Sequence, residues 1–347
     1  MAGNWPTMVD VASRSIDGKQ VVIAEMLSQA TALYADLPIV ESSEQFGHEF
    51  VWRTSLPTGV WRQFNQGAPT HRTTTAKGRI GLAELVDYSQ VDKSLAERSG
   101  DVERFRENED IGFLEGMGQT LEQTAIYGNT VVNPAQMMGL SSFYYTVSTA
   151  TAAQAANVMD GGGTGSSNSS MWLLGLGERA IYGIAPKGSA AGLVMEDKGD
   201  TVPAYDSLGN RFEAYTSYFR AISGVVPQDW RYGVRIANLD VTSAGLAGTT
   251  PYDLFAGLSA ATLRVPAMGR AQSGITQTDS PYDSSLGVRW QIVVNRTVRH
   301  WMDVQAMRNK NVLLQLQDYA GIVVDHFRPG LPVRVSDQLT TTEARVV

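Results

Sequence analysis

The side chains in this chain that could do chemistry are, first, carboxylates. Glu196, Asp197 and Asp200 cluster, and Asp279 and Asp283 flank Pro281. Two carboxylates a few ångströms apart in a cleft are what glycoside hydrolysis needs, one as acid and one as base or nucleophile. Spacing alone does not build that cleft, and solvated loop acids are the plainer reading. A hydrolase using Glu196, Asp197 and Asp200 is kept as one alternative. Neither cluster matches a calcium loop, which needs acids at alternate positions and a fixed glycine. His48, His71, His300 and His326 stand singly, without the spacing of a zinc site. His48 alternates with aromatics and His300 adjoins Trp301, so both read as structural. With no cysteine, disulfides and thiolate chemistry are excluded. No G-x-S-x-G elbow occurs. The Gly161–Gly165 run lacks a following Lys-Ser/Thr, and Lys187-Gly188-Ser189 has the wrong order for a phosphate loop. The matches to glycosylation sequons at Asn168 and Asn295 carry no weight without a secretory signal. No catalytic, cofactor-binding or metal-ligating residue is assigned.

The elements that would have to position such residues are more informative. Val21 to Tyr34 reads as a helix, with Val22, Met26, Leu27 and Ala30 on one face, ended by Asp36-Leu37-Pro38. Phe46, His48, Phe50 and Trp52 then alternate with Gly47, Glu49, Val51 and Arg53, which predicts a strand. After the turn at Pro57-Thr58-Gly59 an extended pattern resumes over Val60 to Asn65. Alternation returns at Ile80, Leu82, Glu84, Val86 and Tyr88. Together these predict a long two-stranded arm. An isolated two-stranded arm is marginal in water, so it must lie on its own body or on another chain.

From Ser89 to Asn129 the chain has no proline and reads as one helix of about 60 Å at ~1.5 Å per residue. Val91, Leu95, Val102, Phe105, Phe113, Met117 and Leu121 form its apolar stripe. Gly112 and Gly116, four apart, predict a smooth patch where another backbone comes close. Gly128 is expected to end the helix in the left-handed conformation. Gly161 to Ser170 reads as a flexible loop. Met171 to Ile184 is expected to be a buried strand pair. Arg211 to Ala221 is a long strand after a turn at Asp206 to Asn210. Trp230, Tyr232, Val234 and Ile236 should share one strand face, with Arg231 and Arg235 on the other. Thr249-Thr250-Pro251-Tyr252-Asp253 starts a helix whose inner face is Leu254, Leu258 and Ala261. Val288 to Val294, Gly321 to Phe327 and Leu331 to Val335 read as strands, and Val298 to Arg308 as a helix.

The bulk properties narrow the function. The chain has 347 residues, 43% hydrophobic and 18% charged, with 34 glycines and a net charge of −7. Modest charge with much glycine suggests surface covered by neighbouring subunits. A dedicated nucleic-acid binder would carry a basic stripe, and none is visible. No run of 18 apolar residues predicts a membrane span. Met1 to Ser15 lacks a signal-peptide pattern, so a cytosol-like compartment is expected.

Along the chain stand Asp110-Ile111-Gly112-Phe113-Leu114-Glu115-Gly116-Met117, Asn133-Pro134-Ala135-Gln136-Met137-Met138-Gly139-Leu140 and Met171-Trp172-Leu173-Leu174. Ile184-Ala185-Pro186-Lys187-Gly188, Asp229-Trp230-Arg231-Tyr232, and Gly330-Leu331-Pro332-Val333-Arg334 with Thr342-Glu343-Ala344 follow. With these motifs, and in its order of arm, long helix and mixed domain, the chain resembles over nearly its whole length the major capsid proteins of tailed bacteriophages, the Hong Kong 97 type, and within them those of short-tailed phages.

The resemblance implies an α+β fold. Residues 1–45 would be an N-terminal arm and 46–88 an extended β loop lying over a neighbour. Residues 89–130 and 193–240 would be a peripheral domain with the spine helix. Residues 131–192 and 241–330 would be an axial domain, and 331–347 a closing strand and tail. The Gly161–Ser170 loop would sit near a local axis.

It further implies self-assembly as hexamers and pentamers into an icosahedral shell around double-stranded DNA, in a virion built in the host bacterial cytoplasm. A portal and, in some members, a decoration protein would be further partners. Without a long acidic, helical N-terminal extension, a separate scaffolding protein is expected. No enzyme activity, cofactor or membrane partner is implied. A bacterial nanocompartment shell of the same fold is the other alternative. Some members of this fold cross-link an extended-loop lysine to a neighbour's asparagine. Lys77 is the lysine between Phe46 and Tyr88, and it reads as an ordinary surface lysine.

Overall fold

The computed structural model describes residues 15–16, 19–20, 31–98, 100–188, 193–199, 202–206, 208–242, 245–246, 251–266, 288–308, 315–319, 322–328 and 331–347. Two short strands, β1 (Ser15–Ile16) and β2 (Lys19–Gln20), pair with each other. Helix α1 (Ala32–Asp36) and strand β3 (Ile39–Glu41) follow. The predicted helix from Val21 lies outside the described residues as far as Ala30.

Strands β4 (Gly47–Ser55) and β5 (Thr74–Gly81) form an antiparallel hairpin that is a sheet of its own. The expected arm is therefore present, but shorter at both ends. Residues 56–73 form a loop with a turn at its middle, not an extended strand from Val60. Asn65, in that turn, takes a positive φ of 67°, which an asparagine tolerates. At the other end the alternation that runs to Tyr88 splits into two strands. Strand β6 (Ala83–Asp92) leaves the hairpin and runs antiparallel to a strand of the body.

The long helix is also divided. Ser89 to Asp92 belong to β6; α2 (Lys93–Arg98) is a short helix, and α3 (Val102–Tyr127) has 26 residues, or about 39 Å. The cause is local: Gly100 adopts φ +85°, and Asp101 caps the new helix by accepting from the Arg104 backbone N–H at 3.1 Å. Helix α3 ends at Gly128, but not in the left-handed conformation, since φ is −52°. Glycine is needed there for space: a Cβ would lie 2.2 Å from the Met137 carbonyl oxygen and 2.5 Å from that of Thr124.

Next come α4 (Leu140–Phe143), β7 (Val158–Asp160), β8 (Asn168–Leu176) and β9 (Ile181–Ala185). The expected buried pair from Met171 to Ile184 is β8 and β9. The glycine-rich stretch before it is pinned at both ends. Gly161 and Gly163 N–H donate to the Ala237 and Asn238 carbonyls at 2.8 Å each, and Asn168, Ser169 and Ser170 are buried in β8. The expected loop is present over residues 161–167, but its last three residues, Asn168 to Ser170, belong to β8.

Strands β10 (Leu193–Asp197), β11 (Val202–Tyr205), β12 (Arg211–Pro227) and β13 (Gly233–Asp240) follow. Asp206 to Asn210 makes the expected turn, with Gly209 at φ +85°. Trp230–Tyr232 is a 3₁₀ turn before β13, so Trp230 and Tyr232 do not extend its face. Arg235 is not on a solvent face: β13 is buried on both sides. Helix α5 (Leu254–Arg264) is capped by Asp253, whose carboxylate accepts from Phe255 and Ala256 N–H, and Leu254, Leu258 and Ala261 are buried as expected. Strand β14 (Arg289–Val294), helix α6 (Arg296–Arg308) and strands β15 (Gln315–Tyr319), β16 (Ile322–Arg328) and β17 (Leu331–Val335) complete the chain.

Among the described residues, one sheet of 13 strands organises the body, in the order β10-β12-β9-β8-β14-β17-β16-β15 with β3, β6, β7, β11 and β13 alongside. The 17-residue β12 is its backbone: its outer part pairs with β6, β10 and β11, and its inner end with β9. Helix α3 lies on β6 and β12, where Met117, Leu121, Ala125 and Ile126 pack with Phe219 and Ala221, and Phe113 stacks on Phe219 at 6.1 Å. The stripe predicted from the sequence thus meets the long strands. A second core joins α5 and α6 to β8, β13, β14 and β17. Each fully buried side chain such as Phe219 contributes roughly 1.5–3 kcal/mol.

Candidate functional site

The residues singled out for chemistry do not converge. Glu196 and Asp197 are successive residues of β10, so their side chains leave opposite faces of the strand. Each has its own cation: Lys198 lies 2.7 Å from Glu196, and Arg106 of α3 lies 2.8 Å from Asp197. The hydrogen bond from Arg106 holds the Asp197 carboxyl below its usual range. Asp197 thus straps α3 to β10, while Glu196 pairs within its own segment; the two do not form an acid–base pair. Asp200, Asp279 and Asp283 lie outside the described residues. Among the described residues, no group of three His, Asp or Glu could hold a metal ion, and no helix is long and apolar enough to cross a membrane. His71 is exposed, and His300 meets Trp301 edge-on at 5.4 Å. Lys77 pairs across the hairpin with Glu49 and is 59% exposed.

What the structure builds is surface for contact. The hairpin β4–β5 rises from a small apolar base, where Phe50 and Leu82 pack on Ile80, Tyr182, Ile184 and Val226. Beyond Val51 strand β4 is exposed. At the tip Trp61 and Phe64 are 102% and 97% exposed, and Leu56 is also bare. Apolar side chains this large are seldom left in water unless they meet a partner. The loop 56–73 carries Arg62 and Arg72 but no acid.

The predicted close approach of a backbone at Gly112 and Gly116 is not found among the described residues. A Cβ at either would meet nothing within 4 Å. Both glycines instead line an open cleft of about 400 Å³ between α3 and β6, with Leu85, Phe113 and Met117 as apolar walls.

Two buried polar clusters, unmarked in the sequence, hold the termini to α3. Glu122 accepts from the Tyr34 N–H at 3.2 Å and from Ser336 Oγ, so it ties α1 and the end of β17 to the helix. Burial pushes its carboxyl pKa up, and these hydrogen bonds only partly offset that. Glu343 accepts from Arg235 at 2.8 Å, from Tyr127 and from Ser170, while Arg235 also donates to Ser170 and to the Tyr144 carbonyl and lies over the Trp172 ring. Both members of the pair are 5% exposed. Burial beside Glu343 pushes the Tyr127 hydroxyl pKa well up. The chain after β17 is thus threaded into the core, where Leu339 and Val346 are buried. A lone Glu between threonine and alanine gives no sequence signal of this; only its distance partners do.

A hairpin arm, a long helix on long strands and a mixed sheet domain define the class. The fold is that of the Hong Kong 97-type phage capsid proteins. The structure of bacteriophage Epsilon15 contains a chain that is similar over 100% of this chain and 99% of that one, at 28% identity and a TM-score of 0.70. The bacteriophage JBD30 capsid is similar over 96% and 99%, at 12% identity and a TM-score of 0.50. The encapsulin SrpI of Synechococcus elongatus is similar over 67% and 96%, at 10% identity and a TM-score of 0.45. The family model for major capsid protein GP7 matches residues 15–347, and this chain belongs to that family. It is a phage major capsid protein, a component of the virion that assembles from many copies of itself. No protein with a curated description matches it.

Proposed function

We propose that this subunit forms hexamers and pentamers that close into an icosahedral shell around double-stranded DNA, and that its role is structural, without catalysis. In this reading residues 46–88 hold the extended loop that reaches a neighbour. Residues 89–130 and 193–240 make the peripheral domain, 131–192 and 241–330 the axial domain, 1–45 an N-terminal arm, and 331–347 the closing strand and tail. The observation that carries it is the arm tip, with Trp61 and Phe64 bare in the single chain. Each neighbour contact is modest, but many per subunit make the shell hold together. The net charge of −7 suits a wall that must not adhere to packed DNA. Assembly in the host cytoplasm, a scaffolding protein, a portal and a decoration protein remain parts of the same proposal.

The test is to replace 56–73 with a short turn. The shortened subunit should fold, with an unchanged far-ultraviolet spectrum and cooperative melting, yet sediment as small species while the parent forms particles. Shells of normal size from the shortened chain would refute the role given to the arm. DNA surviving nuclease inside the parent's particles, with no DNA protected by empty ones, checks the cargo.

A further inference from the structure

We infer that His48 is a protonation-sensitive latch, which closes the turn beneath the arm when its ring is neutral and opens that turn when its ring is charged. The geometry assigns the tautomer. The Ser43 backbone N–H donates to His48 Nδ1 at 3.2 Å, so Nδ1 is an acceptor and the neutral ring carries its proton on Nε2. Nε2 lies 2.9 Å from the Tyr182 hydroxyl on β9, which it reaches as a donor. The imidazole therefore joins three parts: the turn before the arm, the first arm strand and the main sheet. It also meets the Tyr182 ring edge-on at 5.7 Å.

The turn depends on that contact. Ser43 Oγ accepts from the Glu49 N–H at 2.8 Å, Glu44 N–H donates to the Gly47 carbonyl at 3.1 Å, and Leu82 N–H donates to the Phe46 carbonyl at 3.2 Å. A second proton on the ring would sit on Nδ1 and face the Ser43 N–H, donor against donor. One of the two must turn away, and Ser43 carries Glu49 with it.

The charged groups around the ring do not favour the cation. Glu44 is engaged by Arg79 of β5 at 3.1 Å. Glu49 leaves the other face of β4 and is paired with Lys77 of β5. Glu41 of β3 accepts from the Gly188 N–H at 2.8 Å. Burial pushes the Tyr182 hydroxyl up to about 12, so it stays protonated throughout. Opposite His48 in the hairpin register stands Ile80, which is apolar and buried. Burial lowers the imidazole pKa below its ordinary 6.5. A folded value below the unfolded one means that the latch is fully formed above that ordinary value and is lost as pH falls through the folded value.

Hydrogen–deuterium exchange of the purified full-length protein tests this, because the Ser43 and Glu49 amides are themselves the reporting bonds. Compared at about pH 7.5 and about pH 5 and corrected for intrinsic exchange, their protection should fall about fivefold, the worth of one lost hydrogen bond. His48→Asn places a carbonyl oxygen that does not titrate near Nδ1, and should make that protection independent of pH. His71→Asn and His300→Asn should keep the wild-type response. A wild-type chain with pH-independent protection at 43–49, or a response that survives His48→Asn, or one abolished by either control, overturns the proposal. Should His48→Asn fail to fold, the wild-type chain and the two controls still decide the matter.

Discussion

Arg235 and Glu343 are the pair whose separation should matter most to the subunit. Both are nearly sealed from water, and each is the other's counter-charge. Removing one strands a charge in the core, which costs roughly 3–5 kcal/mol. Arg235→Met and Glu343→Leu should each lower the unfolding free energy from chemical denaturation by that amount, and the double variant should recover most of it. A single variant as stable as the parent would mean that the pair is not sealed in solution. Glu122 gives a pH test of opposite sign to His48. Its folded pKa is raised above the ordinary 4.5, so its contribution is complete below that value and is lost as pH rises through the folded value. Relative to Glu122→Gln, the parent should lose melting temperature as pH climbs from acid towards neutral. Parallel melting curves for the two would contradict a buried carboxylate whose hydrogen bonds only partly offset its burial. Neither cluster was legible in the sequence, because Glu122 lies 214 residues from Ser336 and Glu343 lies 108 from Arg235. Short-range pattern carries no trace of such partners. Glu196 and Asp197, read as solvated loop acids, are exposed as expected but lie on strand β10, each beside its own cation.

At the scale of elements, α3 shows how far periodicity reaches. The apolar stripe of Phe113, Met117 and Leu121 was readable. The break before Val102 was also written in the chain, as Gly100 followed by the capping Asp101, but an uninterrupted absence of proline masked it. The glycines of this helix separate by environment. Gly128→Ala drives a Cβ into two carbonyl oxygens and should destabilise the fold by several kcal/mol, on the order of other overpacked sites. Gly116→Ala meets nothing within 4 Å; it should stabilise the isolated subunit by roughly 0.5–1 kcal/mol through helix propensity. Chemical denaturation of the two variants distinguishes them, and equal losses would remove the distinction. The hairpin was legible from alternation, whereas the split between β5 and β6 was not. Side-chain alternation is the same on either side of Gly81, and only the ladder to β12 shows that the strand has changed partners.

For the whole molecule, the sequence order of arm, helix and sheet domain already resembled a shell subunit, and the family match over 15–347 places the chain among phage major capsid proteins. The body is a closed core: one 13-stranded sheet with helices on it and the last residues threaded back inside. The arm is the part that this core does not satisfy. Its apolar tip and the open cleft beside α3 are surfaces that a single chain leaves to water. Electron microscopy of the purified full-length protein examines that point most directly. The account predicts closed icosahedral particles in which the hairpin 47–81 of each subunit is ordered against a neighbour. A stable monomer of 37.6 kDa at every concentration, with no curved oligomer or shell, would contradict it.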